Sequence, residues 1–188
     1  MRLVWRLAVA AVVLVAGLVV RDLVGPDEEV PSQRTGSRVE RWETVVDEAA
    51  GFSVDLPAPA MRGSGGATVG PGVQVVVHER RAGGMSLQWF DYLESDPPAP
   101  DPVAEVERRA VALFQGTTQS MVTVSAQPAQ VGGRPGATVR ITKGSVLVRG
   151  WGVVEGGQFF LLTAAVDRDW RPADEERMVR SFRLLPSP

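Results

Sequence analysis

The chain has 188 residues, of which 44% are hydrophobic and 22% charged, with a formal net charge of -2. That is ordinary globular usage for one domain plus a short appendage, and it gives no general attraction to nucleic acid or to acidic membrane surfaces. Cysteine is absent, which excludes disulfides, thiolate metal sites and a cysteine nucleophile.

The N-terminus opens on a basic head with Arg2 and Arg6, followed by residues 7–20 without a polar side chain, and Arg21 and Asp22 end the run. At about 1.5 Å per residue this run spans roughly 21 Å. Adding Leu3, Val4 and Trp5, with Arg6 snorkelling, brings it to about 27 Å, close to the ~30 Å of a hydrocarbon core. Val19-Val20-Arg21 is a poor cleavage site, since it lacks the small residues a signal peptidase needs. Residues 1–24 are therefore expected to form an uncleaved signal anchor, a single transmembrane helix that meets the membrane through residues 3–24. Arg2 and Arg6 precede it, and Asp27, Glu28 and Glu29 follow it. This bias places the N-terminus in the cytoplasm and the rest of the chain outside the plasma membrane. Residues 25–38 are polar and aperiodic and are expected to be a flexible linker. A folded domain is expected over residues 39–188.

Residues 41–47 and 52–56 alternate as strands, and Pro57 and Pro59 stop the second. Residues 60–71 are glycine-rich and are expected to be a loop. Residues 73–81 form a strand with Val73, Val75 and Val77 facing in and Gln74, Val76 and His78 on the other side. After Ala82-Gly83-Gly84 the chain pairs back over residues 85–93, with Met85, Leu87, Trp89 and Asp91 on one face. Asp101 is suited to cap a helix, with Pro102 in its first position and Glu105 and Glu107 near its positive end. Val103, Val106, Ala110, Leu113 and Phe114 recur at helical spacing as the apolar stripe. Glu105, Arg108, Arg109 and Ala112 are expected on the outer side. Residues 121–127 are the next strand.

The best-patterned stretch follows. Residues 135–143 alternate, residues 145–154 are β-branched and apolar around Trp151, and Glu155-Gly156-Gly157 is a hairpin turn. Residues 158–166 are apolar on both faces, with Phe159 and Leu161 on one and Phe160, Leu162 and Val166 on the other. Such a strand needs cover on both sides. The helices over residues 101–115 and 172–182 are expected to supply it, the second through Met178, Val179 and Phe182. The expected fold is thus α+β, an antiparallel sheet flanked by helices on both faces, with a barrel under one helix as the alternative.

Three stretches carry a family resemblance. Gly51-Phe52-Ser53-Val54-Asp55-Leu56-Pro57 resembles the opening of PsbP-like domains. Gly132-Gly133-Arg134-Pro135-Gly136 resembles their glycine–proline turn, and Met178-Val179-Arg180-Ser181-Phe182-Arg183-Leu184 their closing helix end. The resemblance covers about residues 42–185 and points to a membrane-anchored bacterial type. It implies the fold shared with Ran-binding nuclear-import factors, an antiparallel sheet between helices. It also implies a docking or assembly role, usually without catalysis. The family has no shared catalytic motif, so no site residue follows from it.

Few residue patterns in the chain match a known catalytic or ligand-binding motif. His78 is the only histidine. Ser86 does not sit in a Gly-x-Ser-x-Gly elbow. Asp167, Asp169, Asp174, Glu175 and Glu176 are acids around a helix start and lack calcium-loop spacing. The glycines of residues 63–72 are not followed by the lysine of a phosphate loop. Arg140 and Arg149 lie on adjacent strands as a small anion-binding patch, or pair across strands with acids such as Glu155. Trp89 and Trp151 are expected to pack in the core or on the sheet. No catalytic, cofactor-binding or metal residue is assigned, and no cofactor is expected. The expected function is a non-catalytic, extracytoplasmic protein-interaction or assembly module with a protein partner and no nucleic acid. A binder of a small apolar or lipid ligand is the alternative, and an enzyme the third reading.

Overall fold

The computed structural model describes residues 41–69, 73–92, 101–115, 122–143, 145–166 and 170–186. The expected anchor and linker lie outside these residues, and among the described ones no helix is long and apolar enough to cross a membrane.

Among the described residues, ten strands and two helices follow in chain order: β1 (Trp42–Asp47), β2 (Phe52–Pro57), β3 (Met61–Val69), β4 (Val73–Ala82), β5 (Met85–Tyr92), α1 (Pro102–Gln115), β6 (Val122–Val131), β7 (Arg134–Lys143), β8 (Val146–Glu155), β9 (Gln158–Val166), α2 (Pro172–Ser181) and β10 (Arg183–Leu184). A seven-stranded sheet runs β3-β4-β5-β9-β8-β7-β6, and a three-stranded sheet runs β1-β2-β10. All pairings are antiparallel.

This corrects the expected α+β fold. The described residues are mostly strand, in two sheets with only two short helices, rather than one sheet flanked by helices on both faces. One face of the large sheet does lie under α1, in a layer built from Val75, Phe90, Val106, Ala110, Ile141, Phe159 and Leu161. The other face is covered chiefly by the small sheet, through Phe52, Val54 and Leu56, with Met178 of α2 and Phe182 beside it. Both faces of β9 are therefore filled, Phe159 and Leu161 on one and Phe160 and Leu162 on the other. The barrel alternative fails as well, since β3 and β6 end the large sheet without pairing to each other.

Two local expectations change. The glycine-rich stretch is strand β3, which pairs with β4 from Met61↔Arg81 to Val69↔Val73. Its pairing is a matter of backbone hydrogen bonds at a sheet edge, where large side chains are not required. The phase of α1 also differs. Asp101 caps it as expected, its Oδ1 accepting the Val103 N–H at 2.9 Å. Val106 and Ala110 face the sheet, but Glu105 (1% exposed) and Arg109 (4%) turn inward with them. Ala112 and Leu113 pack partly against the same layer. The inward charges are neutralised within one turn: Glu105 accepts hydrogen bonds from Arg108, at 2.9 and 3.1 Å, and from Arg109. The Arg109 guanidinium also lies 5.7 Å from the Phe159 ring centroid. The side chain of Phe114 is outside the described residues.

Candidate functional site

Beyond the small sheet, the same face of the large sheet continues over β6, β7 and β8 without a covering layer among the described residues. Register fixes what it presents. Ser125, Arg140, Arg149 and Ala164 lie in one cross-strand row. Gln127, Thr138, Trp151 and Leu162 form the next. Directly opposed residues point to the same face, so Arg140 and Arg149 are neighbours on the face that also carries Trp151. Trp170, just before α2, forms a wall, and the half-open concavity has a volume of about 480 Å³.

Arg149 is held from three sides. Its guanidinium carbon is 5.8 Å from the ring centroids of both Trp151 and Trp170, a distance at which the ring quadrupole attracts the cation. Its Nη2 lies 3.3 Å from Glu175 Oε1. The other oxygen of that carboxylate accepts the Trp170 indole N–H at 2.9 Å. Glu175 is only 6% exposed, so one buried acid fixes both the arginine and the wall. Arg140 is exposed, and no ion-pair partner for it occurs among the described residues. Chain residues 167–169, which join Val166 to Trp170, are outside the described residues.

The sequence put Arg140 beside Arg149 correctly and named the wrong acid. Glu155 pairs with Arg134 at 3.1 Å instead. Glu155 is six residues from Arg149 along β8, about 20 Å at strand rise, and cannot reach it. Glu175 was legible only as one of several acids at a helix start; its inward turn depends on α2 packing against β2, which brings the carboxylate to Arg149.

The other candidate residues are dispersed. His78 Nε2 lies 3.0 Å from Asp91 Oδ2, and the imidazole stacks on Trp89 with centroids 5.2 Å apart. Gln158 donates to the other Asp91 oxygen at 2.9 Å. Ser86 is buried on the opposite face of the sheet, its hydroxyl 2.8 Å from that of Thr163. His78 and Ser86 thus cannot act together. Trp89 is a core residue, its ring centroid 4.9 Å from that of Phe52. Glu176 pairs along the helix with Arg180, and Asp167 and Asp169 lie outside the described residues. Of the residues singled out in the sequence, the fold brings Arg140, Arg149, Trp151 and Glu175 together.

The three stretches that carry the family resemblance also meet. Leu184 pairs with Phe52, and a Cβ on Gly132 would lie 2.9 Å from the Phe182 ring and 3.5 Å from Leu184. They build one corner of the fold, away from the arginine row. No protein-family model and no curated protein matches the sequence.

Proposed function

We propose that the chain is a non-catalytic protein-interaction module, tethered through residues 3–24 and presented outside the plasma membrane, that docks a protein partner on the open face of β6, β7 and β8. The observation that carries this reading is the contrast between the two apolar layers and that face. The layers are occupied by the protein's own side chains: Phe52, Phe160 and Phe182 meet with centroid separations of 6.2 and 6.1 Å. The open face is concave, polar and charged. The resemblance to PsbP-like domains favours docking too, although a small sheet rather than a helix is the main cover of the second face. The alternative, a small apolar ligand held between sheet and helix, is disfavoured where α1 crosses β8. There a Cβ on Gly152 would lie 2.5 Å from Val106 Cγ1, so helix and strand are in direct contact.

Photo-crosslinking in intact cells tests the reading. A photoreactive residue at position 125, on the open face, is expected to give a discrete protein adduct. The same residue at position 104, on the exposed side of α1, is expected to give none. Adducts from both positions, or from neither, would exclude docking on this face.

A further inference from the structure

We infer that the arginine row is a carboxylate-reading site, and that the partner segment it takes is an extended acidic peptide. The inference rests on the docking reading above and adds the chemistry of the occupant. It starts from an imbalance. Arg140 and Arg149 are direct cross-strand partners, an arrangement that is repulsive unless anions intervene. Glu175 neutralises Arg149. The surplus positive charge is left on Arg140, at the mouth of a concavity whose nearest side chain across the strand, Ser125, offers a hydroxyl.

The mode of recognition is already present in the fold. Glu175 shows how this face holds a carboxylate: one oxygen on a guanidinium, the other on an indole N–H. A second carboxylate set against Arg140 and the Ser125 hydroxyl would repeat that pattern one strand further out. Charge-assisted bonds of this kind are the stronger ones. Strand β6 is an edge, so an extended segment can approach along it while its acidic side chain reaches inward.

Two other anionic occupants fit less well. A phosphate dianion would sit beside the fixed charge of Glu175. An anionic membrane surface requires a broad basic face, whereas here the surplus is one arginine at the mouth of a concavity, on a chain with net charge -2.

The test measures binding of a fluorescent hexaglutamate peptide to the full-length protein by anisotropy. Binding is expected to weaken as salt rises. Arg140→Gln alters an exposed side chain and is expected to weaken binding by about ten- to a hundredfold, the equivalent of one charge-assisted pair. Ser125→Glu, which supplies an internal acid opposite Arg140, is expected to weaken it similarly. Glu175→Gln releases Arg149 and is expected to tighten it. Equal binding by wild type and Arg140→Gln, or no binding by wild type, would overturn the inference. So would stronger Arg140-dependent binding of inorganic phosphate or of phosphatidylglycerol vesicles. If the peptide result fails while adducts from position 125 persist, docking stands and the acidic occupant is wrong. Loss of those adducts removes the docking reading itself.

Discussion

Two glycines of β8 and its turn illustrate different reasons for having no side chain. Gly157 has φ 84° and nothing within 4 Å of a Cβ, so its requirement is purely conformational. Gly157→Ala is expected to cost about 1–2 kcal/mol, the left-handed penalty for an L residue. Gly152 has no such backbone constraint; a Cβ there would meet Val106 Cγ1 at 2.5 Å and the Phe159 ring at 3.0 Å. Gly152→Ala is expected to cost about 1–3 kcal/mol by overpacking. The two are separable by a second substitution. Measured against Val106→Ala alone, the loss at Gly152 should shrink and that at Gly157 should not, as urea unfolding of the three single and two double variants would show. Equal recovery at both positions would mean that α1 does not press on β8 as described. The turn glycine was visible in the sequence, because Glu155-Gly156-Gly157 between two apolar runs is a local signal. The packing glycine was not, since its constraint comes from a helix far away in sequence.

At the level of elements, strands with strict alternation were legible and the phase of α1 was not. β2 and β7 could be placed because each buries alternate side chains, and β9 because its apolar run is continuous and bounded by turn residues. β3 escaped because glycines and small residues carry no such pattern, and its partner β4 supplies what holds it. In α1 the apolar stripe was assigned on the premise that charge faces water. Glu105 and Arg109 violate that premise by pairing beneath the helix. Removing one member of a buried pair leaves the other uncompensated. Glu105→Gln is therefore expected to destabilise the domain by about 3–5 kcal/mol. Glu107→Gln, two residues on at a partly exposed site, is expected to stay within about 0.5 kcal/mol. Denaturant midpoints of the two variants decide the matter. If Glu105→Gln is as mild as Glu107→Gln, the helix carries its acids outward and the original phase is right.

For the whole molecule, the organising contacts are those that join distant parts of the chain. The small sheet gains its third strand because β10 returns to β2, through Arg183↔Ser53 and Leu184↔Phe52. No local pattern in a two-residue strand announces this, which is why a helix was expected as the second cover. The C-terminal segment nevertheless contributes in both roles. Met178 and Phe182 are fully buried against Phe160 and its neighbours. The Ser181 hydroxyl accepts the Asp55 N–H at 2.8 Å, and Leu185 donates its N–H to Gly51 at 2.8 Å. Ending the full-length chain after Trp170 removes all of these at once. It also removes Glu175, and with it the partner of Arg149. The small sheet would then be reduced to a single hairpin, which is marginal alone, leaving Phe52, Phe160 and Leu162 open to water. At roughly 25 cal/mol per Å² the exposed apolar area is worth several kcal/mol, against a typical domain stability of about 5–15 kcal/mol. The shortened chain is expected to lose cooperative unfolding in urea, followed by tryptophan fluorescence, while the intact chain retains it. A shortened chain that unfolds cooperatively would show that β1 and β2 cover the sheet unaided, and that the C-terminal segment serves the arginine site rather than the fold.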